Sequence, residues 1–118
     1  MTLVDTSVWV NHFRAPDAAL VALLEEGLAG THRFIIGELA SGNLKDRAAT
    51  LAHFRALPTI PAASDDEVHE LLEAHRLWGL GLGWVDLHLL AAAAISGWDL
   101  MTADRTLRAA AARLKLLR

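Results

Sequence analysis

Four acidic residues of this chain stand in stretches that are otherwise apolar or made of small side chains: Asp5, Glu38, Asp86 and Asp104. An isolated ionised carboxylate near a core has a high free energy, so such groups are usually paired with a cation or bound to a metal ion. Four carboxylates brought together would repel one another, and divalent cations would relieve that repulsion. The pattern therefore predicts a metal site.

The donor atoms indicate which metal and which reaction to expect. Mg²⁺ and Mn²⁺ prefer oxygen ligands, and Mg²⁺ keeps several waters while a few carboxylates and substrate phosphates hold it. The four acids have no histidine or cysteine at zinc-ligand spacing, and the chain contains no cysteine. Because such an ion activates a bound water and stabilises the leaving oxygen of a phosphodiester, the expected reaction is phosphodiester hydrolysis.

Each acid also has a purely structural interpretation, which the sequence leaves open. Asp5 and Asp104 each precede a helical pattern and could cap it. Glu38 alone would be an ordinary surface residue, whereas Asp86 has neighbours too apolar for a solvated face. Their joint placement favours a shared catalytic site over four separate structural roles.

Three polar residues lie two positions from an acid. Ser7 and Thr102 could donate a hydrogen bond to a carboxylate or to a metal-bound water, or could only shape the turn. His88 follows Asp86 on a segment that is otherwise apolar. We expect His88 to be a hydrogen-bonded histidine of the core rather than a base or a metal ligand.

Length and composition indicate one domain over residues 1–118, and the 53% hydrophobic and 21% charged residues exclude a disordered chain. The N-terminus has no basic leader. The longest apolar run, residues 87–95, is far shorter than the ~20 residues that span a bilayer. We therefore expect a cytoplasmic protein without a membrane partner.

Charge is unevenly distributed along the chain, whose net charge is −3. Residues 1–104 carry all 14 acids and six of the 11 bases, and residues 105–118 carry no acid. The bases of this last segment are Arg105, Arg108, Arg113, Lys115 and Arg118. They form either a solvated helix face or a patch that contacts phosphates, and both interpretations stay open.

Short apolar runs alternate with helical patterns. Strands are expected at residues 2–5 and 100–102, with a possible last strand at 114–117, and helices at residues 17–29, 35–41, 46–57, 64–78 (opening on a capping box of Ser64 and Glu67), 85–96 and 104–113. Strands separated by helices favour a parallel sheet between two helical layers, a three-layer α/β/α fold. Ligands bind beyond the carboxyl ends of such strands, where Asp5 and Asp104 would lie. Asp86 and Glu38 would lie near helix N-termini, so all four acids can reach one pocket.

Four segments resemble the motifs of PIN-domain nucleases, in particular the VapC-type toxins of bacterial toxin–antitoxin pairs. They are residues 4–9 (Val-Asp-Thr-Ser-Val-Trp), 36–40 (Ile-Gly-Glu-Leu-Ala), 83–90 (Gly-Trp-Val-Asp-Leu-His-Leu-Leu) and 102–105 (Thr-Ala-Asp-Arg). The order and spacing of the segments are specific, and the resemblance covers essentially the whole chain.

The resemblance implies a compact PIN-type α/β/α domain that binds Mg²⁺ or Mn²⁺ and cuts single-stranded RNA, in structured molecules such as tRNA or rRNA. Asp5 and Asp86 would be the principal metal ligands, with Glu38 and Asp104 completing the catalytic pocket. The implied protein partner is a small antitoxin that blocks this pocket. A homodimer, a larger toxin–antitoxin assembly and contact with DNA only through the antitoxin are also implied.

Two other classes of protein share some of these features. A receiver-type phosphoacceptor domain has a similar length and an acidic magnesium pocket, but it carries an adjacent acidic pair where this chain has Asp5 and Thr6. Such domains also carry a lysine before a proline near their end, whereas Leu116 follows Lys115 here. A haloacid-dehalogenase-like phosphatase needs a second aspartate where Ser7 stands. The receiver-type domain is kept as the alternative.

Overall fold

Three short parallel strands form the centre of the computed structural model, which describes residues 1–118. β1 (Thr2–Val4) lies between β2 (Ala29–Gly30) and β3 (Asp99–Met101), and its register places Leu3 opposite Leu100 of β3. The predicted parallel sheet is therefore confirmed. Because the chain leaves β1 for one neighbour and later returns to the other, the carboxyl end of β1 is the point where such sheets bind ligands.

Seven helices flank this sheet and complete the predicted α/β/α fold. They are α1 (Thr6–Arg14), α2 (Ala18–Glu25), α3 (Arg33–Ala40), α4 (Arg47–Ala56), α5 (Asp65–Ala74), α6 (Trp84–Ser96) and α7 (Arg105–Arg113). Residues 87–93 of α6 are all buried, and Gly97 ends this helix with a φ of 69° that favours glycine. None of the seven helices combines the length and the apolar character that crossing a bilayer requires.

One apolar core of 23 buried residues joins the sheet to the helices around it. Leu3 and Val4 of β1 have no exposed surface, so the backbone that leads into Asp5 is packed on both sides. Burying a side chain of this size contributes about 1.5–3 kcal/mol relative to leaving it exposed. The carboxyl end of β1 is therefore anchored in the best-packed part of the molecule.

The helix expected over residues 17–29 ends at Glu25, and strand β2 occupies its predicted last turn. Gly27 takes a φ of 70°, a left-handed conformation that ends the helix. The carbonyl of Leu28 then accepts a hydrogen bond from the N–H of Thr2 at 2.8 Å. Pairing with β1 therefore decides the structure of this segment, and helical periodicity contains no information about that pairing.

Two further predictions are corrected by residues in the left-handed conformation. The helix expected over residues 64–78 begins with its capping box but ends at Ala74, because Arg76 has a φ of 52°. The possible strand at residues 114–117 is reduced to a single bridge to β3, because Lys115 has a φ of 59°. Neither residue is a glycine, so the sequence contained no strong signal for these turns.

The helix bounds predicted from the sequence do not include α1, although the capping interpretation of Asp5 assumes a helix after it. Its segment contains Val8, Trp9 and Val10, and such β-branched and aromatic side chains are common in strands. Val8 and Trp9 are buried in the core, whereas Val10 is 40% exposed. Packing of one helical face therefore overrides the local preference of these residues.

Candidate active site

Asp5 directly follows β1, and its carboxylate is held by two hydroxyl groups. The backbone N–H of Asp5 donates to the carbonyl of Met101 at 2.9 Å, which ties the residue to β3. Its Oδ2 accepts hydrogen bonds from Ser7 Oγ at 2.7 Å and from Thr102 Oγ1 at 2.8 Å. The side chain makes no capping bond to α1, so the interpretation of Asp5 as a helix cap is wrong. Neither hydroxyl engages Oδ1, which is left for another ligand.

The two hydroxyl groups also connect Asp5 to the turn between β3 and α7. The N–H of Ala103 donates to Ser7 Oγ at 3.0 Å, and the N–H of Asp104 donates to Thr102 Oγ1 at 3.1 Å. Thr102 is 4% exposed, so its hydroxyl group lies away from bulk water. The prediction that Ser7 and Thr102 donate to a carboxylate is confirmed.

Asp104 occupies the N-cap position of α7. Its Oδ1 accepts a hydrogen bond from the N–H of Leu107 at 2.8 Å, so the capping interpretation of this residue is confirmed. The residue is exposed, and the cap engages one of its two carboxylate oxygens. Capping therefore orients Asp104 and leaves Oδ2 without a bond to the helix.

Asp86 lies in the first turn of α6, where its Oδ2 accepts a hydrogen bond from the N–H of Gly83 at 2.9 Å. Burial raises the pKa of Asp86, and the negative charges of Asp5 and Asp104 raise it further, against the lowering effect of the Gly83 bond. The carboxylates of Asp5 and Asp104, from two other parts of the chain, thus lie near enough to repel that of Asp86. A cation among them would relieve that repulsion.

Glu38 lies at the edge of this group. It is exposed on α3, and its Oε1 accepts a hydrogen bond from Thr6 Oγ1 at 2.8 Å. Its charge is not among the causes that raise the pKa of Asp86. Thr6 is a residue that the sequence analysis did not single out, although it stands between Asp5 and Ser7 in the first motif. The structure therefore joins Glu38 to the site through α1 rather than through the other acids.

The acids do not form a preassembled metal cage, and their assignment as metal ligands stays a prediction. No three histidine, aspartate or glutamate side chains lie close enough together to hold an ion by themselves. Mg²⁺, however, is commonly held by one or two carboxylates together with waters and substrate phosphates. Asp5 and Asp86 each keep one oxygen outside the hydrogen bonds described above. Their all-oxygen donor set fits a hard divalent cation held in this way.

Comparison with known proteins places this geometry in a family. Residues 2–113 match the family model described as PIN domain. The chain belongs to the PIN-domain family. This PIN domain is also similar to ribonuclease VapC32 of Mycobacterium tuberculosis, with 48% identity over 113 residues that cover 95% of the chain and 91% of the relative. The proteins of strains CDC 1551 / Oshkosh and ATCC 25618 / H37Rv give the same values. The receiver-type alternative gains no support from either comparison.

His88 of the PIN domain is a core residue, as predicted, but it is not hydrogen-bonded. Its Nε2 lies 3.2 Å from Asp65 Oδ1, yet neither ring nitrogen makes a hydrogen bond, so this contact is electrostatic at most. The rings of Phe34 and Trp84 pack edge-on against it, each with a centroid distance of 4.9 Å. Aromatic packing therefore positions His88, and it makes no hydrogen bond to the four acids.

The largest cavity of the PIN domain does not mark its chemistry. A groove of about 580 Å³ lies between α1, α2 and α4, and none of the four acids lines it. Its walls are mainly apolar and include Trp9, Phe54 and the half-exposed Phe13. The four acids lie outside this groove, so cavity size alone does not locate them.

Proposed function

We propose that this PIN domain is a metal-dependent endoribonuclease that acts as the toxin of a toxin–antitoxin pair. The observation that carries the proposal is the placement of Asp5 directly after β1, of Asp104 directly after the turn that follows β3, and of Asp86 near enough to both for their charges to raise its pKa, in addition to the effect of burial. Similarity to a relative named as a ribonuclease supports RNA as the substrate. Because the proposed substrate is RNA, we place the activity in the cytoplasm.

Asp5 and Asp86 are the residues that would hold Mg²⁺ or Mn²⁺, with Glu38 and Asp104 completing the pocket. Such an ion, when bound, lowers the pKa of a water molecule and stabilises negative charge on the phosphodiester. Ser7 and Thr102 fix the orientation of the Asp5 carboxylate through Oδ2. Asp104, oriented by its cap, presents Oδ2 as an acceptor that can orient the attacking water.

An RNA cleavage assay with Mg²⁺ or Mn²⁺ tests the proposed activity. The Asp86→Asn variant keeps an oxygen for the N–H of Gly83 but loses the charge, and we expect its cleavage rate to fall by more than about 100-fold. Asp66→Asn is a matched control, because Asp66 is an exposed acid in the first turn of another helix, α5. Equal cleavage by all three proteins would reject the proposed site, and chelation by EDTA should abolish cleavage by the wild type.

The finer substrate of the proposed enzyme is a single-stranded segment of a structured RNA such as tRNA or rRNA. Sequencing of the RNA 5′ ends that appear after brief expression in cells identifies the cut molecules directly. Ends confined to one loop of one tRNA or rRNA would support this assignment. Ends scattered over messenger RNAs would contradict it.

The proposed partner is a small antitoxin that covers the acids and blocks RNA. We also include a homodimer and a larger toxin–antitoxin assembly, in which DNA is contacted only through the antitoxin. Expression of the PIN domain should stop growth, and co-expression of a small gene adjacent to it should restore growth. Harmless expression of folded protein would count against the toxin role. Sedimentation as a monomer would contradict the proposed homodimer.

A further inference from the structure

Most of the basic residues near the C-terminus have no acidic partner. The structure contains one ion pair of an arginine or lysine with an acid, Arg118 with Asp99. Of the five bases in residues 105–118, Arg118 alone is therefore paired with an acid. The other four carry positive charges that no carboxylate neutralises.

Two of these unpaired bases line a groove along α7. The groove has a volume of about 420 Å³ and is lined by Leu80, Arg105, Thr106, Ala109, Ala110 and Arg113. Arg105 and Arg113 are two helical turns apart, about 12 Å along the helix axis, so they stand at opposite ends of one helical face. Arg113 also donates to the carbonyl of His75, which orients its guanidinium without neutralising the charge.

Residues on both sides of this groove are close in sequence to acids of the proposed catalytic site. On one wall, Arg105 directly follows Asp104. On the other side, Leu80 lies three residues before Gly83, whose N–H donates to Asp86 Oδ2 at 2.9 Å. The groove is therefore a cationic surface that begins at the residue after Asp104, on the helix that this acid caps.

We propose that this groove binds the phosphate backbone of the RNA on one side of the bond that is cut, with Arg105 and Arg113 each contacting a phosphate. The proposal rests on the proposed function of the same site and names the surface that holds its substrate. The carboxylates repel phosphates, so an adjoining row of cations is needed to keep the RNA in place. Arginine forms paired hydrogen bonds to phosphate oxygens, which suits two unpaired guanidinium groups in an open groove.

The salt dependence of RNA binding tests this proposal. Anisotropy of a labelled single-stranded RNA oligonucleotide is measured in EDTA between about 50 and 200 mM salt, with the RNA checked to be intact. Each lost phosphate contact lowers the slope of log affinity against log salt by about 0.7 for a single strand, so the Arg105→Gln/Arg113→Gln variant should lose about 1.4. Arg108→Gln is the matched control, because Arg108 lies on the same helix but does not line the groove.

The expected result is a lower slope in the double variant and an unchanged slope in Arg108→Gln. An unchanged slope in the double variant, or an equal loss of slope in Arg108→Gln, would overturn the proposal that the groove binds RNA. Retained RNA binding with lost binding to polyglutamate would assign the groove to an acidic protein segment instead, and would also overturn it. If the wild type cleaves RNA but the double variant has the wild-type slope, only the proposal for the groove is contradicted. If the wild type neither binds nor cleaves RNA, the proposed function is contradicted as well. If the double variant does not fold, the single variant Arg105→Gln is measured instead, because Arg105 makes no structural hydrogen bond.

Discussion

At the scale of single residues, two hydroxyl groups determine which oxygen of Asp5 is free. Ser7 and Thr102 each have one hydroxyl proton, and each donates it to Oδ2. Their own oxygens accept the N–H groups of Ala103 and Asp104, which fixes the rotation of each hydroxyl. The 3.3 Å contact between the two hydroxyls therefore needs no proton of its own. Asp5 is oriented by the protein before any ligand arrives.

Removing one of these hydroxyl groups should impair activity more than folding. Thr102→Val keeps the shape of the side chain but removes the donor to Asp5. We expect RNA cleavage and Mn²⁺ affinity to fall by about 10- to 100-fold, as is usual when a residue that orients a metal ligand is lost. Thr102→Ser, which keeps the hydroxyl, should restore most of the activity. Cleavage by Thr102→Val at the wild-type rate would contradict the role assigned to this bond.

The raised pKa of Asp86 predicts a gain in stability when its charge is removed. Because the folded state binds this proton more tightly than the unfolded chain, folding becomes less favourable as the pH rises above the ordinary aspartate range. In EDTA at neutral pH, Asp86→Asn should therefore unfold at a higher temperature than the wild type. The difference should vanish at acidic pH, where both states bind the proton, and Asp66→Asn should show no gain. A lower unfolding temperature for Asp86→Asn at neutral pH would contradict this prediction.

At the scale of secondary structure elements, β2 depends on a residue without a side chain. A Cβ atom on Gly30 would lie 2.3 Å from Trp98 Cζ3 and 3.1 Å from the carbonyl oxygen of Pro58. Gly30→Ala should lower the free energy of unfolding by about 1–3 kcal/mol, measured by urea denaturation. Gly37→Ala is the control, because a Cβ there meets nothing within 4 Å and alanine favours the helix. Equal stability of Gly30→Ala and the wild type would show that the Trp98 ring moves freely.

The start of α3 carries a pH dependence of opposite sign. The Nδ1 atom of His32 accepts a hydrogen bond from the N–H of Phe34 at 2.9 Å, and burial, with the charges of His88 and Arg33, lowers the His32 pKa from 6.5 to about 4. The unfolded chain thus binds the proton more readily, so this contribution to stability is complete above 6.5 and is lost as the pH falls towards 4. His32→Asn keeps a capping oxygen that does not titrate. Its unfolding free energy should fall less steeply over this range, and an equal decline in both proteins would contradict the assignment.

The secondary structure elements also show which features can be predicted from neighbouring residues and which cannot. The apolar run of α6 and the capping box of α5 are visible in the sequence because burial and capping depend on neighbours along the chain. Strand β2 and the position of α1 depend on contacts with β1 and the core, so periodicity misses them. The same limit applies to the site. Strand ends predict the location of Asp5 and Asp104, but the bond between Glu38 and Thr6 is visible only in three dimensions.

At the scale of the whole molecule, a groove with two unpaired arginines lies along the helix that begins after Asp104. The net charge of −3 gives RNA no general attraction to this protein. Attraction must therefore be local, and the unpaired arginines Arg105 and Arg113 lie on the helix that begins at Asp104. A divalent cation would relieve the repulsion that Asp86 receives from Asp5 and Asp104, whereas the arginines of the groove are themselves positively charged. In the two proposals, the chemistry lies at one end of the sheet and substrate binding lies on α7.

The central claim is that acids from separate elements share one site for a divalent ion, and Mn²⁺ binding followed by electron paramagnetic resonance tests it most directly. The titration compares the wild type with Asp86→Asn and with the Asp66→Asn control. We predict that the wild type and Asp66→Asn bind Mn²⁺ with the same affinity, and that Asp86→Asn binds it more than about 10-fold more weakly. Equal Mn²⁺ affinity in all three proteins, or no binding by the wild type, would contradict the shared metal site.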